Sequence, residues 1–247
     1  MNELSKINVN ILNQAINKFD GAVNDLIEEL KLEREKQYND YKYWNELETS
    51  NTEKFNYLDE LANQTGHSIN IQIREDIETA MFIKDELTAL FEMKIIYAFK
   101  HLEINIKKLI LHHYKELPTS KPKWYDIQRF FKKQNIPLNK IQGYTEVNEL
   151  RLINNSLKHS HESVDPEILK IKEFKNGSFQ NFETLESFYE RVENYSAIFF
   201  TSLMEKTEKE VANFNDKKLK QIAEKATLNM NKEVAEKLII EIEKKYN

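Results

Sequence analysis

The chain contains no cysteine and very little glycine or proline. Without cysteine it can form no disulfide bond, thiolate nucleophile or zinc–thiolate site, and this composition fits a reducing cytoplasm. Only 4 Gly and 4 Pro occur among 247 residues, so the residues that usually interrupt helices are scarce. Glu, Lys, Leu, Ile and Asn are abundant instead. This composition predicts an all-α protein.

Long apolar runs and several catalytic patterns are also missing. No segment approaches the roughly 20 apolar residues that span a bilayer, and the first residues lack the features of a signal peptide. We therefore expect a cytoplasmic protein with no membrane partner. The absence of a Gly-rich phosphate loop, His-Glu-x-x-His, Gly-x-Ser-x-Gly and paired carboxylates argues against nucleotide hydrolysis, metalloprotease and esterase chemistry. The adjacent His112 and His113 point about 100° apart on a helix, so we predict no metal and no cofactor.

Apolar periodicity predicts three regions. Residues 1–68 form an N-terminal helical region with a second, short helix at about 52–64. Its long first helix, about 6–48, carries the spacing of a coiled coil or helical hairpin in Ile16, Phe19, Val23, Leu26 and Leu30. Residues 69–214 form a helical bundle, and residues 215–247 form one C-terminal amphipathic helix.

Within the bundle, the pattern predicts helices at about 69–116 with one break, 124–134, 145–160 and 183–213. The one predicted sheet element is a small β-hairpin near 168–180. There Leu169, Ile171 and Glu173 alternate, and Asn176-Gly177 is suited to a two-residue turn.

Charge is unevenly distributed along the sequence. The net charge is −5, yet residues 115–160 contain nine Lys and Arg against four Asp and Glu, a net charge of +5. A local basic patch on an acidic chain suits contact with a phosphate backbone. Arg129, Lys132 and Lys133 are candidate RNA-binding residues on this basis. Chance clustering in a lysine-rich chain is the alternative explanation.

The segment from Glu149 to His161 has the strongest functional pattern in the sequence. On a helix it places three apolar residues on one face, namely Leu150, Ile153 and Leu157. The opposite face carries Arg151, Asn155, Lys158 and His159. A fixed cation, an amide, an ammonium group and an imidazole can together bind a phosphodiester and move its protons. An ordinary solvated polar face is the alternative.

An Arg followed at short spacing by a polar residue and a His, on a helix of an all-α bundle, resembles the HEPN superfamily over roughly residues 85–210. The family signature is Arg, four to six residues, then His. Here seven residues separate Arg151 from His159, and the family spacing falls on Asn154 and His159. The Asn-Asn-x-x-Lys-His ending is typical of HEPN-like variants.

The resemblance implies an antiparallel HEPN-like bundle and a metal-independent endoribonuclease, in a bacterial toxin or antiviral defence context. The product would end in a 2′,3′-cyclic phosphate. In this interpretation His159 is the general acid or base, Arg151 neutralises charge on the scissile phosphate, and Asn155 orients them. Lys158 and Asn154 join the candidate RNA-binding residues.

The resemblance also implies a homodimer in which two such helices face each other. Arg151 and His159 lie eight residues apart, about 12 Å along a helix axis, so an antiparallel partner helix would bring them together better than one chain can. An antitoxin or another defence-system protein is a further possible partner. The rival hypothesis is a non-catalytic helical interaction or RNA-binding module, in which Asn154 is a buried hydrogen-bonding residue.

Overall fold

The computed structural model describes residues 3–158, 166–175, 181–214 and 216–245, with side chains described from residue 18 onward except at 217, 218 and 221. The chain divides into two compact units, Met1–Met204 and Glu205–Asn247. The three-region division drawn from the sequence stays a prediction.

Within the described ranges the protein is all-helical and contains no strand, so the predicted all-α class is confirmed. The helices are α1 Glu3–Ser50, α2 Thr52–Gln64, α3 Ile69–Tyr114, α4 Trp124–Lys133, α5 Tyr144–Lys158, α6 Phe182–Val192, α7 Tyr195–Ala212, α8 Asp216–Thr227 and α9 Lys232–Glu243. None of these described helices combines the length and the apolar character needed to cross a membrane.

The two longest helices, α1 and α3, pack against each other. Val23, Ile27 and Leu30 of α1 face the core, while Leu26 is largely exposed. From Val23 to Leu30 the predicted apolar seam is therefore a contact within the chain, with Ile27 in place of Leu26. The side chain of Ile16 lies outside the described residues. A partly buried hydrogen bond also joins α1 to α6, since the Tyr189 hydroxyl donates to Asp20 Oδ2 at 2.9 Å. Burial raises the pKa of this Asp20 carboxyl.

Local chemistry explains the ends of α2. Asn51 caps its start, because the Asn51 side-chain oxygen accepts a hydrogen bond from the Lys54 backbone N–H at 3.1 Å. Gly66 follows the helix with a φ of +80°, a conformation that favours glycine. The Asp59 carboxylate then accepts from the Ile69 N–H at 2.8 Å and fixes the start of α3. The predicted bounds of α2 are confirmed.

The break predicted within 69–116 is wrong, because α3 is continuous over 46 residues. No Gly or Pro occurs in this span, and buried apolar residues follow its whole length. Two core clusters lie in succession along α3. The first core cluster joins it to α1, α5 and α6. The second core cluster joins its C-terminal part to α4, α5 and α7.

The strand predicted within 168–175 is also wrong. Residues Ile168–Lys170 and Lys172–Phe174 form 3₁₀-helices. Ile168, Ile171 and Phe174 are the buried residues, and their spacing of three matches the 3₁₀ period rather than the strand period of two. The remainder of the predicted hairpin, 176–180, lies outside the described residues.

Two helices that the sequence predicted as single are divided. The predicted helix 183–213 is interrupted at Glu193-Asn194, where the Asn194 carbonyl accepts from the Ile198 N–H at 3.2 Å and begins α7. The predicted C-terminal helix is interrupted at 228–231. Asn231 caps α9 by accepting from the Val234 N–H at 3.0 Å. Asparagine at each break can satisfy the exposed N–H groups of a new helix.

Candidate functional site

Helix α5 begins at a glycine that is packed against α7. Gly143 has a φ of +79°, and its carbonyl accepts from the Val147 N–H at 3.1 Å. A Cβ atom at this position would lie 3.3 Å from Cδ1 of Tyr195. The positive φ favours glycine, and the close approach would force Tyr195 to shift if a side chain were added. The start of the helix that carries the candidate site residues is therefore fixed.

The apolar face of α5 is buried as its periodicity predicts. Leu150 and Ile153 are buried in the first core cluster, and Leu157 is partly buried against it. Val147 is buried in the second core cluster. The orientation of the helix about its own axis is set by these contacts.

The opposite face of α5 presents part of the predicted site. Asn155 and Lys158 are exposed, and Arg151 is half-buried. The Arg151 Nε donates to Asn148 Oδ1 at 3.1 Å. His159 lies outside the described residues. The structure thus brings Arg151, Asn155 and Lys158 to the outer side of α5.

Asn154 points the other way and is only 1% exposed. Its Nδ2 donates to Asn155 Oδ1 at 3.2 Å, while its buried Oδ1 has no hydrogen-bond partner among the described residues. A side chain so deeply buried cannot contact RNA without leaving the core. The burial agrees with the structural role that the rival hypothesis gives to Asn154.

Sequence reasoning missed the ion-pair network beside this helix. Arg191 on α6 donates two hydrogen bonds to Glu173, both of 2.8 Å, and a third of 2.9 Å to Glu149 on α5. Arg191 lowers the pKa of the Glu173 carboxyl, and the two carboxylates raise the pKa of Arg191. Glu173 and Glu149 lie 18 and 42 residues from Arg191 in the sequence, so no local sequence pattern predicts these contacts.

The basic candidates on α4 lie on its outer face. Arg129, Lys132 and Lys133 are exposed, opposite the buried Ile127 and Phe131. Arg129 and Lys133 line a groove of about 400 Å³ between α4 and the segment that follows α3. Glu116 and Asp126 also line this groove. The groove therefore has mixed charge, whereas the outer face of α4 is basic.

No group of three or more His, Asp or Glu side chains is arranged to hold a metal ion within the described ranges. Comparison of the chain with protein-family models, with curated proteins and with solved structures found no match in any of the three.

Proposed function

We propose that the protein is an endoribonuclease of the HEPN-like type, with an antiparallel helical bundle as its scaffold. The observation that carries the proposal is the outer face of α5, which presents a guanidinium, an amide and an ammonium group on the helix that ends one residue before His159. The HEPN resemblance of this segment gives the reaction class. A bacterial toxin or antiviral defence role, with a neutralising antitoxin or defence-system partner, belongs to the same proposal.

The packing of α5 supports the proposal because it gives the site a rigid base. Catalytic groups must be held close to their productive geometry, and helices that are locked by packing do this better than loops. Val147, Leu150 and Ile153 anchor α5 in both core clusters. Glu149, the carboxylate nearest in sequence to Arg151, is bound by Arg191. The Arg191 contact reduces the repulsion that Glu149 would exert on a bound phosphate.

The proposed reaction uses the ribose 2′-hydroxyl of RNA as the nucleophile. The 2′-oxygen forms a bond to the scissile phosphorus while the bond to the leaving 5′-oxygen breaks. In one version His159 accepts the proton of the 2′-hydroxyl and the leaving 5′-oxygen takes a proton from water; in the other, His159 donates the proton to the leaving oxygen and water takes the proton of the 2′-hydroxyl. Arg151 stabilises the negative charge on the phosphate, and Asn155 hydrogen-bonds to the same group. Lys158 and the α4 cations Arg129, Lys132 and Lys133 attract the RNA backbone.

A shared site between two chains completes this proposal. Arg151 and His159 are about 12 Å apart along one helix axis, and their side chains lean in the same direction. An antiparallel second α5 would place Arg151 of one chain near His159 of its partner. We therefore propose a homodimer as the active form.

The decisive experiment incubates the purified full-length protein with RNA in EDTA and analyses the products for 2′,3′-cyclic phosphate ends. We expect cleavage of RNA, no cleavage of DNA of the same sequence, and loss of activity in His159→Ala. His67→Ala is the matched control, because His67 is exposed in a loop away from α5. Undiminished cleavage by His159→Ala would rule out the catalytic assignment.

The second candidate is a non-catalytic helical interaction or RNA-binding module. The deep burial of Asn154 and the Arg191 network favour it, since both give polar residues of this region a structural role. The same RNA experiment separates the two candidates. The module predicts that RNA remains intact at every protein concentration.

A further inference from the structure

The N-terminal part of α3 belongs to an acidic arm that extends beyond the first core cluster. We define the acidic arm as residues 35–82, which comprise the end of α1, all of α2 and the start of α3. The contribution of α1 to the first core cluster ends at Leu30, and that of α3 begins at Ile83. The arm has its own small core, in which Phe55 and Ile69 are buried.

The charge of the acidic arm is strongly negative. It contains ten Asp and Glu against four Lys and Arg, a net charge of −6, while the whole chain carries only −5. Large apolar side chains are exposed on the same arm. Tyr57 and Phe82 are each 65% exposed, and Leu61, Ile71 and Met81 are exposed as well. Exposed apolar side chains close to charge of one sign are typical of a protein interaction surface.

At the C-terminal end of α3 the charge is positive, opposite in sign to that of the acidic arm. The segment 115–158 follows α3 directly and has a net charge of +5. Its helix α4 presents Arg129, Lys132 and Lys133 on an exposed face. Tyr125 on this helix is 67% exposed and lies one turn before Arg129. An apolar ring flanked by cations therefore lies at one end of α3, and apolar side chains among carboxylates lie at the other.

We propose that the acidic arm binds the α4 face of a second copy of this chain. The arm ends at residue 82 of α3, and the second core cluster, which contains α4, begins at Leu102. About 30 Å of helix separates these positions, so the two surfaces do not meet within one chain. In a two-fold symmetric dimer whose α3 helices run antiparallel, each arm lies beside the other chain's α4. Both contacts are then formed at once, which is the closed arrangement that symmetric dimers use. Opposite charges on the two surfaces favour this pairing over the pairing of like ends.

The inference concerns the two ends of α3 and holds whether or not the protein cleaves RNA. It has one consequence that does rest on the proposed function. If Arg129, Lys132 and Lys133 contact RNA, the arm of the partner competes with RNA for the same face.

Sedimentation velocity of the full-length protein over a range of concentrations tests the proposal. We expect a dimer at low salt that dissociates more readily at about 0.5 M salt, because salt screens the attraction between exposed charges. Two charge-reversal variants probe the contact. The face variant combines Arg129→Glu, Lys132→Glu and Lys133→Glu. The arm variant combines Glu48→Lys, Glu60→Lys and Glu75→Lys, all at exposed positions.

Each variant alone should raise the dimer dissociation constant at least tenfold. The arm variant reduces the net charge of the arm from −6 to 0 and removes the attraction, and the face variant changes the net charge of residues 115–158 from +5 to −1, so that both contacts become repulsive. An equimolar mixture of the two should form heterodimers, since one contact of each heterodimer joins an unaltered arm to an unaltered α4 face and the other contact is no longer repulsive. Recovery in the mixture also shows that neither variant is misfolded. A matched control, Lys225→Glu with Lys232→Glu and Lys237→Glu, changes three exposed charges in the other unit and should leave the dimer intact. A monomer under all conditions, a dimer that neither variant weakens, or a mixture that stays monomeric would overturn the proposal.

Discussion

Arg191 and Glu173 are joined by two parallel hydrogen bonds, from Nε to Oε1 and from Nη2 to Oε2, each of 2.8 Å. This fork geometry is available to arginine and not to lysine. The third bond from Arg191, to Glu149, connects the short 3₁₀ segment and α6 to the helix that carries the candidate site. The orientation of α5 thus depends on polar contacts as well as on its apolar face.

Replacement of Arg191 should destabilise the protein. We expect Arg191→Ala to lower the free energy of unfolding by about 1–2 kcal/mol, because two carboxylates lose their charged partner. Arg191→Lys should recover only part of this loss, since an ammonium group cannot form the bidentate contact. Urea denaturation followed by circular dichroism measures both. Lys170→Ala is the control, because its pair with Glu167 is solvent-exposed and should contribute at most about 0.5 kcal/mol.

The same pair predicts a pH dependence. Arg191 lowers the pKa of Glu173 below its usual value of about 4.5. A carboxylate whose pKa is lower in the folded state than in the unfolded state stabilises the fold fully when the pH is above its unfolded-state pKa. This stabilisation is lost as the pH falls through the folded-state pKa. The difference in unfolding free energy between the wild type and Glu173→Gln should therefore be largest near neutral pH and shrink below about pH 4. A difference that stays constant over this range would contradict the assignment.

Asn154 and Asn155 should be energetically coupled. Asn155 is exposed, yet Asn155→Ala should lower the unfolding free energy by about 1 kcal/mol, because it leaves the buried Asn154 Nδ2 without its acceptor. Asn155→Asp retains an acceptor oxygen and should be milder. In an Asn154→Ala background, Asn155→Ala should have little further effect, and a double-mutant cycle measures this coupling. Additive effects of the two substitutions would show that the hydrogen bond does not form.

Gly66 and Gly143, the positive-φ glycines among the described residues, make a matched pair. A Cβ at Gly66 meets no atom within 4 Å, whereas a Cβ at Gly143 lies 3.3 Å from Tyr195 Cδ1. Gly66→Ala should cost about 1 kcal/mol from the left-handed backbone alone. Gly143→Ala should cost clearly more, since α7 must also move. Thermal unfolding of both variants gives the comparison, and equal costs would mean that the contact with Tyr195 relaxes freely.

Mixed variants test the shared site. Arg151→Ala and His159→Ala should each be inactive toward RNA if the proposed mechanism holds. A mixture of the two should regain a fraction of the wild-type activity after subunit exchange, because some heterodimers contain one complete site. Incubation of the mixed proteins with labelled RNA measures this recovery. Failure of the mixture, while the protein is dimeric, would rule out a site shared between the two chains.

Helix ends with a local chemical cause could be predicted from the sequence. Asn51 and Gly66 fix the bounds of α2 through contacts within a few residues. The breaks at 193–194 and 228–231 were missed because neither contains Gly or Pro. At 168–174 the sequence alternates with the two-residue period of a strand, and this pattern led to the wrong prediction. The residues that are buried there are spaced by three, as in a 3₁₀-helix.

The candidate site was only partly accessible to sequence reasoning. Helical periodicity placed Leu150 and Ile153 inward and Asn155 outward, because the phase of a helix is a local property. The partners of Arg191 depend on how α5, α6 and the 3₁₀ segment meet. Such long-range contacts are a property of the whole fold, and short motifs do not contain them. The role of His159 stays a prediction.

The position of α5 across both core clusters has a consequence for how the protein unfolds. Apart from the long α3, α5 is the helix that contributes buried side chains to both clusters, through Val147 in one and Leu150 and Ile153 in the other. The two halves of this unit are therefore coupled through the fifteen residues of α5 as well as through α3. When α5 is undocked, each half can open separately, and hydrogen exchange would reveal two subglobal openings in place of one. The helix proposed to bind RNA is thus also one of the two helices that couple the halves of this unit.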